Sequence, residues 1–204
     1  MVNAIKIEKD RAATEKRLLD TIGKMIVEKG FENIGINAVA AQSGVAKILI
    51  YRYFGSVEGL MAAYVRQHDF WINFPLEIPQ QETLSDFLKK MFHLQIEHLR
   101  NDPILKRLSR WELSSKNIML DELCRQREKT GLWIIETVSK FTNYNQQEIA
   151  ALATIISASI TYLVMHEDFY PEYNGIPLNK NEGWEQIRNG IDILINKCLE
   201  NKIV

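Results

Sequence analysis

Residues 36–54, INAVAAQSGVAKILIYRYF, decide how the rest of this chain is read. They read as two short helices, over residues 36–43 and 46–53, joined at Gly44 and Val45. The corner of a helix-turn-helix needs a residue that takes positive φ at no steric cost, and Gly44 supplies one. Ala40 stands four positions before that glycine, where the helices cross closest and a larger side chain would hold them apart. Val39, Val45 and Ile50 are apolar at spacings that set them beneath the corner, against a third helix. Outside the corner, Lys47 and Tyr51 share a face at i, i+4, with Arg52 beside them. A helix of this kind fits the major groove of B-DNA. Its first residues reach base edges and its basic side chains meet phosphate. The plainer alternative is a compact helical corner with solvated charges. Against it stands the agreement in register of Ala40, Gly44 and the apolar positions.

Working outward, residues 11–29 predict a helix whose stripe is Leu18, Leu19, Ile22, Met25 and Ile26. Gly30 closes it as a C′ glycine and Phe31 opens the loop. The stripe has one evident task, to carry the helix-turn-helix. Residues 1–10 are polar with alternating charge and read as a frayed arm, or as a basic arm lying along DNA. After Phe54, Gly55 breaks the chain and Ser56 caps a helix expected over residues 57–74. Pro75 and Pro79 then mark a linker.

Over residues 17–60, RLLDTIGKMIVEKGFENIGINAVAAQSGVAKILIYRYFGSVEGL, the chain resembles the TetR family of transcriptional regulators. The matching pieces are Leu18-Leu19, Gly30-Phe31, Val39-Ala40, Gly44-Val45, Ile50-Tyr51-x-Tyr53-Phe54 and Ser56-x-Glu58-x-Leu60. The resemblance implies an all-α protein with an N-terminal three-helix DNA-binding unit over residues 1–56. A helical ligand-binding and dimerisation domain would occupy residues 57–204. It implies a repressor acting as a homodimer on a palindromic double-stranded DNA operator and answering to a small-molecule effector. The DNA-binding candidates are Asn37, Ala46, Lys47, Ile48, Tyr51 and Arg52. The chain departs from the family's pattern at Gly35, where Thr or Ser is usual, at Ile48, where Gly or Ser is usual, and at Val57, where Lys is usual.

The body reads as further helices. In residues 83–101, Leu84, Phe87, Leu88, Met91, Leu94 and Leu99 are expected to face inward and His93 to be solvated. His98 falls in line with Phe87, Met91 and Leu94, as a hydrogen-bonded core histidine or as a ligand contact. Pro103 opens a helix packed by Ile104, Leu105, Leu108 and Trp111. A helix over residues 117–141 carries a face of Met119, Leu123, Gln126, Thr130, Trp133, Ile134 and Thr137. Gln126 and Thr130 suit an amphiphilic pocket or simple bonds to each other or to backbone. The candidate effector contacts are His98, Trp111, Gln126, Thr130 and Trp133. Asn145 and Glu148 form a capping-box start. The helix behind it pairs small residues with Ile149, Leu152, Ile156, Ile160 and Leu163. After a loop over residues 168–183, the last helix carries Ile187, Ile191, Leu194 and Cys198. Those two helices from each subunit would make a four-helix dimer interface.

Composition sets the bounds. The 204 residues are 46% hydrophobic and 25% charged, ordinary for a globular protein. Net charge is −1, yet residues 1–66 hold ten Lys/Arg against seven Asp/Glu, and the remainder fifteen against nineteen. No apolar run reaches the roughly 18 residues of a membrane span, and the N-terminus lacks the apolar core of a signal peptide. Cys124 and Cys198 read as reduced thiols of a cytoplasmic protein. There is no nucleophile elbow, phosphate loop or dinucleotide glycine motif, so an enzyme is not expected. The four histidines have no metal-ligand spacing, and neither metal nor cofactor is expected. The second functional reading is a helix-turn-helix that contacts proteins, with a small-molecule-binding body.

Overall fold

The structure is a computed structural model that describes residues 2–200 except 33, 76, 78 and 115–117; for residues 2–9 only the backbone is described. It is all-α apart from one two-stranded hairpin among the described residues. The chain divides into two compact units. One holds residues 1–69 and 103–125, the other residues 70–102 and 126–204. This differs from the expected division at residues 56 and 57: the helix that begins at Val57 groups with the DNA-binding helices, and so does the helix that begins at Pro103.

In the first unit, α1 spans Val2–Lys29, so the backbone expected to fray is helical from Val2. Residues 2–17 contain no Gly or Pro, so nothing in them stops a helix. Leu18, Ile22, Met25 and Ile26 of its stripe are fully buried. At its end Gly30 takes φ +77 and its N–H donates to the Ile26 carbonyl at 2.9 Å. Arg107 donates to that same carbonyl at 3.1 Å, from α6 (Pro103–Ser114). Phe31 stacks on Trp111 of α6 with ring centroids 4.9 Å apart. The helix-turn-helix is α2 (Ile36–Ser43) and α3 (Lys47–Phe54), and α4 is Val57–His68. Ser56 caps α4, its Oγ accepting from the Gly59 N–H at 3.0 Å.

The helix expected over residues 57–74 stops at His68. The next rings fold onto one another instead: Phe70 lies 5.5 Å from Phe74, and Phe74 lies 6.1 Å from Phe87 of α5 (Leu84–Asn101). The helical spacing of these aromatics reflects a cluster against α5 and not a continuous helix. A single turn of 3-10 helix, Gln81–Thr83, leads into α5.

The second unit is built from α5, the later part of α7 (Ile118–Ser139), α8 (Gln146–His166) and α9 (Asn181–Glu200). The expected start of α7 at Asn117 lies outside the described residues. The α8 cap is the full capping box: Asn145 Oδ1 accepts from Glu148 N–H at 3.0 Å, and Glu148 Oε2 accepts from Asn145 N–H at 2.8 Å. Met91, Phe92, Ile96, Ile134, Ile160, Trp184 and Ile195 are core members. Leu94, expected inward, is exposed, and Gln95 is buried in its stead, donating to Ser157 Oγ at 2.9 Å. His93 is not simply solvated: its Nε2 lies 2.9 Å from Asp192 of α9. Trp184 Nε1 donates to the Leu178 carbonyl at 2.8 Å and to Glu167 at 2.9 Å, while Arg100 bonds Glu167 at 3.0 Å and lies over the indole.

The loop expected over residues 168–183 contains the hairpin, Glu172–Tyr173 paired antiparallel with Ile176–Pro177. Asn174 and Gly175 both take positive φ, as a type I′ turn requires. One helix among the described residues is apolar by composition although it holds no long uninterrupted apolar run. By length and composition α8 is apolar enough to span a bilayer, with a mean hydropathy of 1.7 over its best window. Its isolated Thr and Ser residues conceal that in a count of consecutive apolar positions. Only 11% of that window is buried within the single chain, which leaves a long apolar surface uncovered.

Candidate nucleic-acid interface

Four features hold α3 in place. Gly44 ends α2 at φ 67 and ψ 17, and its N–H donates to the Ala40 carbonyl at 3.0 Å. This left-handed residue turns the chain between the helices. Ser43, itself buried, accepts the Val45 N–H on its Oγ at 3.2 Å, a side-chain turn that pins the corner. Beneath, Val39, Val45 and Ile50 are buried as expected. At the far end Gly55 takes φ 77 and donates to the Tyr51 carbonyl at 2.9 Å.

With Ile50 buried below, the opposite face of α3 is open. Ala46, its N-cap, and Lys47, Ile48, Tyr51 and Arg52 are all exposed. Ile48 is 63% exposed and Tyr51 51%, so neither belongs to the core. Asn37 is exposed on the first turn of α2. The first turn of α3 carries no acidic residue to repel phosphate. Arg11 of α1 lies over the Tyr53 ring, 5.1 Å from its centroid, and bonds Glu15 at 2.8 Å. Neither Ser43 nor Arg11 is among the candidates named from sequence, although Ser43-Gly44 is itself a turn signal.

The departures from the family pattern have visible consequences. Gly35 caps α2 in an extended conformation without a side-chain bond. Val57 is 6% exposed, packed in the core. A residue so placed reaches no phosphate.

The match to known proteins agrees with this geometry. Residues 18–64 match the family model described as bacterial regulatory proteins, tetR family. These residues form a DNA-binding domain of the TetR family. The chain that carries it is a helix-turn-helix transcriptional regulator. It is 24% identical over 134 residues to the uncharacterized HTH-type transcriptional regulator YvkB of Bacillus subtilis (strain 168), covering 57% of this chain and 69% of that one. A solved Clostridium perfringens structure, named as a proposed fatty acid metabolism regulator, superposes with a TM-score of 0.59 at 19% identity. It covers 92% of this chain and 99% of its own. That likeness concerns the fold.

The five effector candidates are divided between the two units. Trp111 belongs to the first unit and is engaged in the Phe31 stack. His98, Gln126, Thr130 and Trp133 belong to the second. His98 is exposed beside Phe70, with ring centroids 5.7 Å apart, so the core-histidine reading does not hold. Thr130 is buried, whereas Gln126 and Trp133 are half-buried. Among the described residues no three His, Cys, Asp or Glu side chains converge as metal ligands.

Proposed function

We propose that this TetR-family regulator acts as an effector-responsive repressor, working in the cytoplasm as a homodimer on a palindromic operator. The observation that carries the reading is the open face of α3, with Lys47, Tyr51 and Arg52 presented by a helix whose other side is locked into a three-helix unit. Tyr51 and Ile48 would meet base edges, while Lys47 and Arg52 would meet phosphate or guanine. Asn37 and Ala46 would lie at the backbone.

Dimerisation is supported by the uncovered apolar surface of α8 and α9. Ile155 is 67% exposed, Tyr162 49%, Ile193 60% and Leu194 54%. A stripe of that length on two helices suits a four-helix contact with a second copy. A dimer would set two α3 helices roughly 34–36 Å apart, matching successive major grooves. Effector binding is assigned to the second unit, with His98, Gln126, Thr130 and Trp133 as contacts; Trp111, held against Phe31, is left out. An effector that prefers one spacing of the α3 helices would shift operator affinity by its differential binding, typically about 1–3 kcal/mol.

Sedimentation tests the assembly. The native chain is expected to run as a dimer. Joint Ile155→Asp and Ile193→Asp substitution is expected to weaken dimerisation roughly 100-fold or more, because each carboxylate would be buried unpaired. Neither side chain is in the core, so helicity should be unchanged. Operator affinity should fall with the dimer. A doubly substituted chain that still sediments as a dimer would remove α8 and α9 from the interface.

A further inference from the structure

A second feature of the C-terminal unit lies apart from the four effector contacts proposed above. A cavity of about 70 Å³ sits among the first half of α5, the end of α7, the start of α8 and the end of α9. Its floor is Met91, Phe92, Ile134, Ile149 and Ile195, all core members, and the exposed Leu194 stands on its open side, so the space is a recess that runs from the surface into the packing. No charged residue lines it. None of His98, Gln126, Thr130 or Trp133 lines it either. A water needs about 10–15 Å³ of such space and two or more polar partners, so this volume is several waters large but offers them little. One polar atom is conspicuous. Thr142, in the turn after α7, lines the cavity, and its Oγ1 is buried without a hydrogen-bond partner. A buried hydroxyl left unbonded is costly, and a bound group that completes it recovers that cost.

We propose that this cavity is a binding site for a small uncharged amphiphile: an aliphatic chain of about six heavy atoms in all, carrying one neutral hydrogen-bonding group that meets Thr142 Oγ1. The chain fills the Met, Phe, Ile and Leu walls. A formal charge is excluded because no counter-charge lines the site, and an unpaired ion there would be desolvated. An alcohol, aldehyde or ketone fits; a carboxylate or an amine does not.

The test uses the full-length protein labelled with ¹³C at isoleucine methyls and titrated with 1-pentanol, then with pentanoate. Pentanol at millimolar concentration is expected to shift the Ile134, Ile149 and Ile195 signals while Ile22 and Ile26 of the N-terminal unit stay still. Pentanoate at neutral pH is expected to bind at least tenfold more weakly. Thr142→Val keeps the side chain's shape and is expected to weaken pentanol about fivefold, with unchanged helicity. Equal binding of pentanoate and pentanol would overturn the proposal. So would unmoved cavity methyls, or an affinity for pentanol that Thr142→Val leaves intact. Operator binding is measured on the same samples. A chain that binds DNA but shows no methyl shift loses this site and keeps its regulatory reading; the reverse result separates the two the other way.

Discussion

Joint replacement of Lys47 and Tyr51 by Ala is expected to lower operator affinity about 100-fold or more while leaving the fold and the oligomeric state unchanged. The size follows from two contacts. A side chain that reads a base edge is worth about 1–3 kcal/mol, and a lysine on phosphate adds a further share that is sequence-independent. Lys47 and Tyr51 sit one turn apart on α3, so one duplex meets both. The fold is spared because both side chains are exposed and neither belongs to the buried set of the N-terminal unit. Exposed substitutions of that kind shift stability by about 0.5 kcal/mol or less. The single changes separate the roles. Lys47→Ala should weaken all duplexes alike and flatten the salt dependence, while Tyr51→Ala should reduce the preference for the operator over random sequence. Fluorescence anisotropy with operator and random duplexes reads both.

Gly59→Ala is expected to destabilise the N-terminal unit by about 3 kcal/mol or more and to abolish DNA binding with it. The reason is a contact that no rotamer relieves. A Cβ at position 59 would stand 2.0 Å from the Phe54 carbonyl oxygen. Phe54 is the last residue of α3, and Gly59 lies in the first turn of α4, where its N–H is held by Ser56 at 3.0 Å. Something in the backbone must move, and what moves is the angle between the recognition helix and the helix beneath it. Strain of this kind belongs with the larger single-substitution effects. Gly131, with open space where a Cβ would go, is the control: Gly131→Ala should be neutral or stabilising in α7. Thermal unfolding followed by circular dichroism measures both. An unfolding midpoint for Gly59→Ala within a degree of the native value would contradict the packing described between α3 and α4.

The N-terminal unit was legible because local chemistry dictates it. Gly44, Gly30, Ser56 and the Leu18–Ile22–Met25–Ile26 stripe each demand one local conformation, and each takes it. The capping box at Asn145 and the start at Pro103 were legible for the same reason. What was not legible depends on distant partners. Phe70, Trp71 and Phe74 fall at helical spacing, yet rings drawn to Phe87 break the helix at His68. His93 looked solvated because Asp192 lies 99 positions away. Gln95 looked misplaced for a core until Ser157 supplied its partner. His98 looked buried by register with Phe87 and Met91, yet near the end of α5 it is exposed beside Phe70. The hairpin at Asn174-Gly175 did carry a local signal, an Asn-Gly turn between Tyr173 and Ile176, that the reading of a plain loop passed over. For the open face of α3, the exposed side chains could be named from sequence, since burial of Ile50 decides which residues are left outside. The cavity in the second unit could not be read in the same way, because its walls come from several helices at once.

The most direct test of the central claim, that α3 reads double-stranded DNA, is a titration of the purified protein against its best duplex, selected from a random pool, at several salt concentrations. The account predicts one enriched palindrome bound by a dimer. It also predicts log affinity falling linearly with log salt, steeply enough to reflect several phosphate contacts. A selected pool with no common sequence, or an affinity indifferent to salt, would contradict it.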